Sequence, residues 1–203
     1  MSNRKLLPVA WTEGMLLRPQ HLQQQDLYNE DRISARIGAI DPFQWGVREF
    51  ELDTEALSDN RIEITRLDVV MPGGAVVRYP GNAMVESREF SADVEELDVY
   101  ISMRRLKPAE ANCGPLEGGN RDVRYRVKPE NVPDLNRGGF ETPIDLLVSN
   151  VRVFISGEEL ELETTDSIKL AKIVATGDVG RPFALSRSYT APLLILQGCP
   201  PLV

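Results

Sequence analysis

His21 is the only histidine in the chain, so a general base or a metal centre would have to be built around it. A base needs an orienting partner and a nucleophile, and no serine or cysteine nucleophile is signalled near it. The expected role is structural: a residue in the first turn of a helix, its ring hydrogen-bonded to a neighbour. A zinc site takes four ligands, and the chain offers two cysteines, Cys113 and Cys199, with that one histidine. Both cysteines sit among Gly and Pro, and in a cytosolic chain they are expected as free thiols. Glu158, Glu159, Glu161 and Glu163 form an acidic cluster. Carboxylates do acid–base work when their environments separate their pKa values, and a cluster at a strand end reads as a solvated edge. Gly73-Gly74, Gly118-Gly119 and Gly138-Gly139 lack the spacing and the Lys-Ser/Thr ending of a phosphate loop, so they read as turn glycines. No catalytic residue, cofactor or metal is expected.

Composition narrows the class further. The 203 residues suit one large domain or two small ones, with 42% hydrophobic and 27% charged content. No stretch approaches the roughly 20 apolar residues of a membrane helix, and the start, Met1 to Pro8, lacks the apolar run of a signal peptide. A net charge of −8 argues against a nucleic-acid partner, because phosphate contacts need a clustered basic face. It favours basic protein partners instead.

One helix stands out near the start. Pro19 fits a first turn, Gln20 to Ile37 holds no Gly or Pro, and Gly38 offers a left-handed C-cap. Leu22, Ile33, Ile37 and Ile40 share a face that Asp26, Asn29 and Glu30 interrupt. The spacing therefore predicts a helix over 19–38 lying on a surface rather than inside a core. After Asp41-Pro42 the period becomes two. Leu97, Val99, Ile101 and Met103 alternate with polar residues; so do Val123, Tyr125 and Val127, and Val151, Val153 and Ile155 continue the pattern. Ile168 to Ala175 reads as a further strand. Between Arg61 and Tyr79 a hairpin is expected, turning at Pro72-Gly73-Gly74, with a β-bulge where Ile62 and Ile64 change parity to Leu67 and Val69. Two long loops are expected, Pro108 to Asn120 and Lys128 to Pro143. Short strands without βαβ alternation predict a mainly β protein, a sandwich or barrel.

The run Trp11-Thr12-Glu13-Gly14-Met15-Leu16-Leu17-Arg18-Pro19-Gln20-His21-Leu22-Gln23-Gln24-Gln25-Asp26 resembles the opening signature of the TssK family of type VI secretion baseplates. There, Trp, an acidic residue, Gly-Met, a large apolar residue and Leu-Arg-Pro-Gln-His precede a glutamine run. This chain has Leu at positions 16 and 22, where the family often has Phe. Weaker likenesses follow at Met71 to Gly74, at Ile168 to Ile173, and at Ala191 to Leu194 with Pro200-Pro201. The resemblance implies a β-sandwich shoulder like that of phage receptor-binding proteins. It also implies a homotrimeric TssK adaptor docked on the TssF–TssG wedge in the cytoplasm, with a C-terminal head facing the membrane complex.

On that basis the expected organisation is an N-terminal segment and helix over 1–40, a sandwich over 41–190, and a link over 191–203 toward a helical neck. The apolar ending at Leu202-Val203 reads as a link into something that follows, so the chain is expected to be a fragment without neck and head. Trp11, Met15 and Leu17 either pack as an edge strand or present themselves to a partner. The residues alone leave this even. The resemblance favours partner or trimer contact for Trp11, Met15, Leu17, Arg18, Gln20 and His21. The rival reading is a carbohydrate- or ligand-binding sandwich, which needs exposed aromatics gathered in one groove.

Overall fold

Arg18 is extended (φ −130°, ψ 153°) and Pro19 opens helix α1, Pro19–Ile40, where a missing N–H costs nothing. The computed structural model describes residues 6–118, 122–158, 163–178 and 180–195. Two units separate, Met1–Gln44 and Trp45–Val203. Helix α1 belongs to the first and buries none of its residues; Leu22, Ile33, Ile37 and Ile40 are all exposed. The expected cap at Gly38 is corrected, since the helix runs through it to Ile40. It stops there because Pro42 disfavours helical backbone at Asp41, which is extended while its N–H still bonds the Ile37 carbonyl at 2.8 Å. Gly38 makes room instead: a Cβ there would lie 3.0 Å from Nε2 of Gln44, which donates back to the Ser34 carbonyl.

Among the described residues, the second unit has twelve strands and one short helix. They are β1 (Gly46–Leu52), α2 (Thr54–Ser58), β2 (Arg61–Ile62), β3 (Ile64–Val70), β4 (Val76–Tyr79), β5 (Ala83–Val85), β6 (Arg88–Glu89), β7 (Glu96–Arg104), β8 (Cys113–Pro115), β9 (Tyr125–Pro133), β10 (Glu141–Ile155), β11 (Thr165–Asp178) and β12 (Arg181–Leu185). One sheet has the order β1-β3-β4; the larger runs β12-β11-β7-β10-β9-β8, with β5 beside β10. Asp53 caps α2 by accepting from the backbone N–H groups of Glu55 and Ala56.

The two sheets share one core, to which Val47, Phe50, Leu67, Val69 and Val77 contribute from the smaller and Leu97, Val99, Ile101, Val151, Ile168 and Ile173 from the larger. The bulge expected in the first hairpin is Thr65. Glu51 pairs with Arg66 and Leu52 with Ile64, so one extra residue on β3 shifts the parity and keeps Ile64, Leu67 and Val69 all buried. Leu170 does the same on β11, between the pairs Lys169–Tyr100 and Ala171–Val99.

Both predicted long loops are partly strand. Within 108–120, β8 pairs parallel with β9. Within 128–143, both ends continue the β9–β10 ladder, from Leu146↔Lys128 to Glu141↔Pro133. Three prolines made this stretch read as loop. They are accommodated because each takes an outward-facing place that owes no ladder bond.

Candidate protein-interaction surface

The N-terminal unit carries the residues expected to meet a partner. Ahead of α1 the chain turns at Gly14 (φ +77°), where the Met15 N–H reaches the Thr12 carbonyl at 3.4 Å. Two glutamines of the helix tie the preceding segment down. Gln24 Nε2 donates to the Leu7 carbonyl at 2.8 Å, and the Trp11 indole N–H donates to Gln25 Oε1 at 3.4 Å. Gln25 in turn donates to Asn29 Oδ1. Sequence reasoning assigned these glutamines no role. The signal was present in the polar run just after the helix start, at the spacing that puts Gln24 and Gln25 in one turn.

His21 closes the helix start. Its Nδ1 accepts the Arg18 backbone N–H at 3.0 Å, and its own backbone N–H bonds the Arg18 carbonyl at 3.0 Å. With Nδ1 engaged as an acceptor, Nε2 is the ring nitrogen left to donate. The Trp11 ring stands tilted 6.3 Å away. Trp11, Arg18 and His21 therefore come together, with the histidine occupied in capping. Gln20 is exposed, Met15 is half-buried, and Leu17 is 62% exposed beside the equally open Leu16. Trp11 keeps half of its surface in water. What this arrangement can do chemically is bind: it offers indole and leucine surface beside a capped helix end.

Elsewhere, Cys113 is an exposed free thiol, while Cys199 lies outside the described residues. Of the acidic cluster, Glu158 pairs with Arg88 and accepts the Ile155 N–H, which makes it structural; Glu159 and Glu161 lie outside the described residues. Gly74, Gly138 and Gly139 occupy the left-handed region, as turn glycines do. No helix among the described residues is long and apolar enough to cross a membrane.

The family model described as "Bacterial Type VI secretion, VC_A0110, EvfL, ImpJ, VasE" matches residues 21–203. The chain belongs to this family, the TssK family. The match starts at His21, so most of the Trp11–Asp26 run lies ahead of it. A TssK relative, the "Type VI secretion system baseplate component TssK1" of Pseudomonas aeruginosa, is 26% identical over 201 residues, covering 96% of this chain and 44% of its own length. The chain thus spans less than half of that relative. Among solved structures, one of a TssK-TssF-TssG baseplate subcomplex superposes with a TM-score of 0.86 at 21% identity, over 98% of this chain and 65% of that one. A crystal structure of TssK superposes at 0.85 and 21%, over 98% and 45%. These likenesses establish the fold: a mainly β, sandwich-like TssK domain with one N-terminal helix.

Proposed function

We propose that this chain is a non-catalytic adaptor of the type VI secretion baseplate, working in the bacterial cytoplasm. In this reading it forms part of a TssK homotrimer that docks onto the TssF–TssG wedge. A C-terminal head beyond this sequence would reach the membrane complex. Family membership supports the baseplate setting, as do the relative named as a baseplate component and the TssK-TssF-TssG subcomplex. One observation carries the docking surface: Trp11, Leu16 and Leu17 are held out from an ordered helix start and left in water. Covering a large apolar side chain stabilises by roughly 1.5–3 kcal/mol, which is available to whichever partner covers it.

The test replaces Met15 and Leu17 by Asp and measures thermal stability together with binding to purified TssF–TssG. Lost binding at an unchanged melting temperature is the expected outcome. A variant that folds and binds as the parent does would reject this surface.

The ligand-binding reading has less support. Shallow depressions on the outer face of the β1-β3-β4 sheet are lined by Arg48, Glu49, Arg66 and Asp68, which are spent on one another (Arg48–Asp68 3.6 Å, Arg66–Glu49 3.1 Å). The exposed aromatics Trp11, Phe43 and Phe140 sit on separate segments.

A further inference from the structure

The smaller sheet has two edges, β1 and β4, and each is closed in its own way. At β4 the closure is one residue. Asn82 Oδ1 accepts the Arg78 N–H at 2.7 Å and Asn82 Nδ2 donates to the Val76 carbonyl at 2.9 Å, as a neighbouring strand would. The Asn82 carbonyl also accepts the Ser149 N–H of β10 at 2.9 Å, so this residue joins the two sheets. It stands between β4 and β5 in the chain and cannot leave without them.

The β1 edge is closed by a strap instead, residues 191–195. The Val47 N–H donates to the Pro192 carbonyl at 2.8 Å and the Leu194 N–H to the Val47 carbonyl at 2.9 Å, around the parallel bridge Val47↔Leu193. On its other flank β1 is laddered to β3 from Gly46↔Val70 to Leu52↔Ile64. Just ahead of the strap, Tyr189 is fixed to the larger sheet: its hydroxyl donates to the Lys169 carbonyl and its ring packs against the core. The strap therefore crosses from the larger sheet to the smaller one, and the exposed Thr190 separates it from its anchor.

Its seat is specific and its hold is light. Gly46 has a φ of +142°, and a Cβ there would lie 2.7 Å from the Pro192 carbonyl oxygen and 3.2 Å from its carbon. The close approach depends on glycine. Yet the backbone joint among the described residues is those two hydrogen bonds, and Pro192 brings no donor of its own. Of the strap's side chains only Ala191 is buried; Pro192, Leu193 and Leu194 are half-buried and Ile195 is exposed. Release would uncover the N–H and carbonyl of Val47 at a sheet edge, where water can take over their bonds.

We propose that residues 191–195 are a latch, which leaves and regains its seat on β1 as a unit, hinged at Thr190, while the sandwich stays folded. Seated, it covers the β1 edge and fixes where the chain departs from the sandwich. Released, it opens that edge to an extended segment and frees the direction of the chain beyond Ile195. One step thus changes both. The latch needs no partner, so it does not depend on the adaptor reading.

Native-state hydrogen exchange on the full chain tests it. The Val47 and Leu194 amides are expected to share one level of protection, about tenfold or more below that of the Ser149 amide on the β4 side, with little response to urea below the unfolding transition. Exchange in step with Ser149, steepening with urea, would mean that the strap is released only by unfolding, and overturns the latch. Unequal protection of the two amides overturns it as well. Gly46→Ala disturbs the seat from the β1 side, and Leu194→Pro removes the donor from the strap side. Each is expected to lower Val47 protection by about a further tenfold and to leave Ser149 as in the parent. Unchanged protection at Val47, or an equal fall at Ser149, overturns the proposal. So does a variant that fails to fold, since a latch opens without the sandwich.

Discussion

Strands β9 and β10 are each two regions in one. Their inner ends bury Arg126, Val148, Val151 and Val153 in the larger sheet, while the same two chains a few residues further out are open to water on both faces. Backbone pairing is continuous from Ser149↔Tyr125 to Glu141↔Pro133, so hydrogen bonding does not distinguish the halves. Packing does. Val151 and Val153 of the inner half join the core shared with the other sheet, whereas Ile144, Leu146 and Leu147 further out stay exposed. Helix α1 repeats the pattern in the other unit, ordered over 22 residues and burying none.

The contrast is broken most directly by truncating one residue of each kind. Ile101 is fully buried and lies across from Ile168 and Val153. Ile101→Ala is expected to cost about 2–5 kcal/mol in chemical denaturation, from lost transfer energy and the cavity left behind. Leu147→Ala in the outer half of β10 is expected to stay within about 0.5 kcal/mol. Comparable losses at the two sites would mean that the outer half contributes to the fold.

Next in size is Gly73→Ala. A Cβ at Gly73 would stand 2.2 Å from Oδ2 of Asp166, a buried carboxylate that Arg105 Nε holds at 2.8 Å. Neither the turn nor the ion-paired carboxylate can give way cheaply, and about 1–3 kcal/mol of destabilisation is expected by thermal melting. Gly138→Ala in the turn between β9 and β10 meets no atom within 4 Å and is strained only by its positive φ of +67°. It should cost about 1 kcal/mol. A larger loss at Gly138 than at Gly73 would invert the comparison.

Much of this arrangement was legible in the residues. Alternation from Leu97 to Met103 located β7, and the parity change between Ile64 and Leu67 located the Thr65 bulge, because burial on one face leaves a period that an inserted residue must shift. Pro19 marked the start of α1. Its end was misread at Gly38, since a glycine suited to a left-handed cap is also suited to close approach, and only the position of Gln44 decides between them. The outer β9–β10 pairing was hidden because proline and glycine content usually marks loops; one proline in every second cross-strand pair satisfies the same ladder that a random placement would break. Of the expected interaction residues, His21 was legible as a helix-start residue. The ties from Gln24 and Gln25 to the preceding segment depend on a chain reversal that no local pattern encodes.

The last expected effect is a change with pH and concerns Tyr189, where the outer face of the larger sheet is neither core nor free surface. Its hydroxyl donates to the Lys169 carbonyl at 2.9 Å, and the Lys169 ammonium lies 4.2 Å over its ring while pairing with Asp98 at 2.7 Å. Burial, then the nearby Asp98 carboxylate, push the phenol up to about 12 from its usual 10. The folded protein therefore keeps this proton after the unfolded chain has lost it. Stability from this group is fully present below pH 10 and is lost as pH rises toward 12, because the unfolded state binds fewer protons in that window. Tyr189→Phe removes the titration together with the hydrogen bond. At neutral pH the variant should be slightly less stable than the parent, by about 1 kcal/mol for the lost bond. Between pH 10 and 12 the gap should narrow, since only the parent has a phenolate to avoid. A gap that stays constant or widens across that window would show that the ring is solvated and belongs with the open surfaces rather than the packed ones.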